Sequence, residues 1–153
     1  MPITFSNSIT KYAVGRRGNM EEWNTISRTF ETAPPAVLPF GAPVQRGAGE
    51  HGVVAFTTGD FLGIAEASFV LPHPGDHYEQ YDTVGVCEVG VIGVLVGTPV
   101  TQGTPARWNA TTQRWVTTAP GAGIYAVPGA EFETDGPAES VQLVRLRRTV
   151  PAS

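Results

Sequence analysis

The sequence predicts a single all-β domain on three observations. The stretch 81–100, YDTVGVCEVGVIGVLVGTPV, packs Val, Ile, Leu and Cys between glycines, and only Asp82 and Glu88 in it are ionised. Branched side chains at this density stiffen χ1 and favour a pleated backbone, and no apolar stripe recurs at helical spacing. The chain holds 18 Gly and 13 Pro in 153 residues, a composition rich in chain reversals that implies short strands joined by turns and loops. This length fits one domain able to bury about 68–70% of the surface its unfolded form exposes, so neither a disulfide nor a metal staple is required.

The stretch 81–100 reads as a central hairpin. Its strands are 83–88 and 91–96, with Val89 and Gly90 near the turn. A run of about 14 residues is too short to cross a bilayer. Residues 1–36 form an extended N-terminal arm without clean strand alternation, and residues 37–153 form the β domain. Within the arm a short helix over 19–30 is one reading: Asn19 would cap it, Glu21 and Glu22 would fill the first turn, and Trp23, Ile26 and Phe30 would share a side. β-branched Thr25, Ile26 and Thr29 weigh against it, and an arm ordered only against a neighbour is the other reading. Pro34, Pro35, Pro39 and Pro43 make 32–43 a connector or edge.

Strands follow at 44–46, 51–57 and 61–69, then a loop at Pro72, Pro74 and Gly75. Beyond the central stretch, 106–109 and 113–117 form a short hairpin that sets Trp108 opposite Trp115, a cross-strand pair worth about 0.5–1 kcal/mol. Residues 124–127 and 130–134 are two strands or one bulged strand around Pro128 and Gly129, and 140–148 closes the chain.

Charge is placed unevenly. The chain has 10 Lys and Arg against 14 Asp and Glu, a net charge of −4. No Lys or Arg lies between Arg46 and Arg107, while Glu50, Asp60, Glu66, Asp76, Glu79, Asp82 and Glu88 all do. An acidic body with basic ends argues against a nucleic-acid partner, because phosphate neutralisation needs a concentrated basic face. It suits basic ends touching an acidic protein neighbour. The N-terminus has no basic segment leading into an apolar block, so no secretory signal or membrane partner is expected and synthesis is cytoplasmic.

No catalytic cluster assembles from the sequence, and an enzyme is not expected. His73 and His77 have the spacing of two ligands on a helix, yet Pro74 and Gly75 break any helix there, so no metal site is assigned. His51 lacks a nucleophile motif, and the glycine-rich GAGEHG lacks the Lys of a phosphate loop, so no cofactor is assigned either. Glu131, Glu133 and Asp135 share a strand face, a pattern that serves a glycosidase far less often than a solvated edge. Cys87 reads as a buried structural thiol. Trp23, Trp108 and Trp115 leave one alternative, a carbohydrate-binding β-sandwich module that stacks sugars on exposed Trp residues.

The motifs PFGAPVQRG (39–47), DFLGIAEAS (60–68), YDTVGVCEVG (81–90), YAVPGAEFET (125–134) and VQLVRL (141–146) resemble, in order and spacing, the structural cement proteins that decorate tailed-bacteriophage capsids. The resemblance spans residues 37–147. It implies a β-sandwich, jelly-roll-like or small barrel domain that acts as a non-enzymatic virion protein, with no catalytic or cofactor residues to transfer. The implied partners are the major capsid protein and a second copy, as a dimer or trimer, on the outer capsid surface. Trp23 and Phe30 are unfavourable in water, and the arm offers no strand pattern to bury them, so they are expected to contact capsid or subunit neighbours together with Arg16, Arg17 and Arg28.

Overall fold

A computed structural model describes residues 12–70 and 75–147. Its strands are β1 (Asn24–Phe30), β2 (Leu38–Pro39), β3 (Pro43–Arg46), β4 (Gly52–Ala55), β5 (Phe61–Ala65), β6 (His77–Tyr78), β7 (Thr83–Leu95), β8 (Pro105–Asn109), β9 (Arg114–Val116), β10 (Ile124–Phe132) and β11 (Val141–Leu146). No helix occurs among the described residues, and the expected all-β class holds.

The apolar stretch does organise the fold, but not as a hairpin. Residues 83–95 run on as one 13-residue strand. Gly90, expected at the turn, bends that strand without reversing it; its φ of 142° is one that glycine adopts without strain. The register with β1 slips at the same place, since Asn24 faces Val89 while Thr25 faces Cys87, so Glu88 bulges out. Each half satisfies its backbone with distant strands, which removes any need for the halves to pair with each other. The first half pairs with β1 and β5, and the second with β11.

Two rings grow from the two halves of β7. β1 pairs antiparallel with β7 and parallel with β4, and the antiparallel neighbours β4, β3, β5 and β7 complete a closed five-stranded barrel. From the second half the sheet continues through β11, β10, β8 and β9. It then curls back: Val96, just past β7, bridges Trp115 in β9, and the Gly97 N–H donates to the Trp115 carbonyl at 2.8 Å. Ring closure pairs edges that would otherwise invite further strands. A single apolar cluster runs through both rings, from Phe30, Val44 and Ile64 through Val86 and Ile92 to Trp115, Phe132 and Val144.

Residues 24–30 correct the arm and its helix. They form β1 inside the first barrel, because alternating Thr25, Ser27 and Thr29 face outward while the strand ladders along β7. The capping signal at Asn19 is real but local: its side chain accepts from the Glu21 N–H at 3.0 Å in a turn that no helix follows. The expected Trp hairpin is present, with Trp108 opposite Trp115 in β8 and β9. β10 is the bulged-strand alternative, its register with β8 shifting between Ala126 and Glu131 around Pro128 and Gly129. The strand expected over 61–69 stops at Ala65.

Candidate interaction surface

The segment 12–23 is bound to its own subunit along the second half of β7. The Gly15 N–H donates to the Gly93 carbonyl at 2.8 Å, the Gly93 N–H to the Arg16 carbonyl at 2.8 Å, and the Gly18 N–H to the Val91 carbonyl at 2.7 Å. On its other side the Ala67 N–H donates to the Gly15 carbonyl at 2.9 Å. Only glycine permits this approach, since a Cβ on Gly93 would collide with the Ala13 carbonyl oxygen. Trp23 closes the segment by lying across the bend in β7, where a Cβ on Gly90 would meet its ring at 2.6 Å. Residues 1–11 lie outside the described residues.

Two of the five expected contact residues therefore have partners at home. Phe30 is 1% exposed, so its placement as a capsid or subunit contact is corrected: the last residue of β1 turns into the barrel core. Trp23 is half-buried against the same core, and its Nε1 donates to Thr25 Oγ1 at 2.7 Å.

The described arginines divide by partner, apart from Arg107 of β8, which meets no carboxylate among the described residues and whose Nη1 donates to the Thr117 carbonyl at 2.8 Å. Arg46, Arg114, Arg145 and Arg147 each meet a carboxylate of this chain: Asp60 at 2.6 Å, Glu139 at 3.3 Å, Glu133 at 2.8 Å and Glu131 at 2.5 Å. Arg145 also pairs with Glu21, tying the N-terminal segment to β11. Its guanidinium, hydrogen-bonded to both acids, holds the Glu133 and Glu21 carboxyls below the usual carboxylate range and is itself pushed up by them. Arg16, Arg17 and Arg28 have no carboxylate partner among the described residues. Arg17 donates to the Glu21 carbonyl and sits 5.7 Å from the Trp23 ring centre, while Arg28 Nη1 donates to the Ser27 carbonyl at 2.8 Å. Arg16 lies 3.4 Å above the Phe69 ring. Arg16 Nη2 and Arg28 Nε are buried with no acceptor among the described residues.

Residues considered for chemistry are held in internal contacts. Glu131 and Glu133 join Arg147 and Arg145 in a cross-strand ladder, and Asp135 accepts from the Gln102 N–H at 2.6 Å. Trp108 and Trp115 are 5% and 1% exposed, their rings 5.7 Å apart edge to face, and Trp115 Nε1 donates to the Gly41 carbonyl at 2.7 Å. Rings so buried cannot stack on a sugar, which removes the Trp platform of the carbohydrate alternative. Cys87 is buried, and burial pushes its thiol up to about 12. Burial does the same to Tyr78, also to about 12, and its hydroxyl donates to the Glu66 carbonyl at 2.5 Å. His77 stands 3.5 Å from Glu79, and His73 lies outside the described residues. Among the described residues no group of three or more His, Cys, Asp or Glu is arranged to hold a metal, and no helix is long and apolar enough to cross a membrane.

Sequence reasoning missed the exposed apolar residues. Met20, Phe69, Val70 and Tyr81 are 76–90% exposed, and Tyr81 holds a φ of 72° that favours Gly or Asn over a bulky side chain. Phe69 was hidden from inspection because it ends an apolar run that reads as core.

Comparisons with known proteins bear on this surface. No curated protein sequence matches the chain. Among solved structures, the fold is similar to that of a chain in the capsid of Myoviridae phage XM1, with a TM-score of 0.73 and 18% identity over 98% of this chain and 100% of that one, a likeness of fold. The model of the structural cement protein family (E217 gp24/Pam3 gp6) matches residues 1–149, which adds the N-terminal segment to the region that resembled such proteins by motif. The chain belongs to the phage structural cement protein family and is a structural, capsid-associated protein of a bacteriophage.

Proposed function

We propose that the protein binds the outer surface of the phage capsid and cements neighbouring major capsid proteins, stabilising the shell without catalysis. The family match over residues 1–149 carries this reading. Two closed rings supply a rigid body, and Arg16, Arg17 and Arg28, which lack carboxylate partners among the described residues, supply cations for acids on a neighbour. Trp23 contributes through the face it leaves exposed. The protein self-associates as a dimer or trimer across capsomer junctions, where repeated weak contacts add through avidity. It takes neither nucleic acid nor membrane as partner, and it is made in the host cytoplasm. Mass spectrometry of purified virions tests the reading: the protein is expected in many copies per particle, and particles lacking it would end the proposal.

A further inference from the structure

The loop between β5 and β6 holds Phe69 and Val70 out in solvent, 83% and 89% exposed, after Ile64 and Ala65, which are fully buried, and the half-buried Glu66, Ala67 and Ser68. Its stem is fixed: the Glu66 N–H donates to the Gly85 carbonyl at 2.7 Å and the Ala67 N–H to the Gly15 carbonyl at 2.9 Å. Adjacent large apolar side chains on a fixed stem are unfavourable in water and mark a contact site once they form a patch. Arg16 lies 3.4 Å above the Phe69 ring, its Nη2 buried without an acceptor and its charge without a carboxylate partner among the described residues. A largely apolar hollow, walled by Arg16 and Phe69 themselves with Tyr12, Val14 and Phe40, also takes in Asp76, which forms no ion pair with Arg16.

We propose that Phe69, Val70 and Arg16 form one docking knob whose occupant is a socket on the capsid protein, apolar at its base and edged by a carboxylate. The inference rests on the cement reading and deepens it. The cation selects a carboxylate-bearing occupant, since a guanidinium fork pairs best with a carboxylate and the pairing strengthens as docking removes water, and the cement family match points to the capsid protein as its source. Stacking on Phe69 keeps the cation beside the apolar group, so socket and carboxylate are recognised as a unit. A lone arginine on an aromatic ring does not supply the several cations that a phosphate backbone requires.

The test uses the full-length protein with Phe69→Ser, Val70→Ser and Arg16→Gln variants, titrated onto purified shells stripped of the cement protein. Circular dichroism and light scattering follow the free proteins. Each variant is expected to fold and keep the wild-type oligomeric state. Phe69→Ser should weaken shell binding about tenfold or more, Val70→Ser less, and Arg16→Gln should weaken it while flattening its salt dependence. Wild type that binds no better than Phe69→Ser and Arg16→Gln overturns the knob and leaves the cement reading standing. Wild type that does not bind shells removes the cement reading and the knob with it. A change of oligomeric state in Phe69→Ser with unchanged shell affinity places the socket on a second copy of this chain, which also overturns the proposal.

Discussion

In the ring built from β8 to β11, aromatic and ionic groups satisfy one another: Trp108 packs on Trp115, Trp115 Nε1 reaches the Gly41 carbonyl, and Arg145 and Arg147 answer Glu133 and Glu131. The ring of β1, β3, β4, β5 and the first half of β7 has an equally buried core of Phe30, Phe56 and Ile64, yet Phe69 and Val70 stand exposed beside it, with Arg16 over Phe69 and Arg28 in β1, neither paired with a carboxylate among the described residues. Both rings share β7 and one apolar cluster, so stability alone does not explain the contrast. One side of the molecule is complete by itself, and the other holds groups that a neighbour can complete.

Emptying the self-sufficient ring should have the largest effect. Trp115→Ala removes a side chain 1% exposed and leaves the Gly41 carbonyl without its donor, so a loss of about 3–5 kcal/mol is expected. Urea unfolding followed by circular dichroism measures it, and a loss under about 1 kcal/mol would mean that the ring does not depend on its Trp pair. Gly93→Ala comes next. The added methyl meets the Ala13 carbonyl, so the segment 12–18 must shift at about 1–3 kcal/mol, with faster proteolysis near Arg16 and Arg17. An unchanged cleavage rate would show that this segment is not fastened by Gly93.

How much of this was legible in the sequence followed contact distance. The β8–β9 hairpin and the bulge in β10 were readable because their signals, a Trp pair across a short turn and Pro128 beside Gly129, are local. β7 was misread because Gly90 looks like a turn in isolation, and only distant partners on both flanks keep the strand extended through it. β1 was misread because Asn19, Glu21 and Glu22 imitate a helix start; Thr25, Ile26 and Thr29 were the contrary signal. Arg16, Arg17 and Arg28 were chosen from sequence for their position, but what separates them from Arg145 and Arg147 is the lack of a carboxylate across a strand, which no spacing shows.

Titration sharpens the contrast with smaller effects. Cys87 and Tyr78 are buried neutral in or beside the first ring, and both are raised, from 9.0 and 10.0, to about 12. A raised acid contributes stability that is whole below its unfolded value and is lost as pH rises toward its folded one, so stability should fall between pH 9 and 12. Cys87→Ala should make that fall shallower; a stability flat across the range would contradict the burial of both groups. Arg145→Gln should change stability least, by about 1 kcal/mol, because its ion pairs are only partly buried and stay in reach of solvent. Glu133 is lowered by Arg145, so its contribution is present above the unfolded carboxylate value and lost as pH falls through the folded one. The variant should therefore lose stability less steeply in acid, and an unaltered acid limb would show that the ladder is not coupled to folding.

The most direct measurement heats phage shells stripped of this protein, with and without the purified chain added back, and follows capsid rupture by dye access to the packaged genome. Cementing predicts a higher rupture temperature that saturates at a fixed number of copies per capsomer and falls back for a variant carrying Arg16→Gln and Phe69→Ser together. Shells that rupture at the same temperature with and without the bound wild-type chain would contradict it.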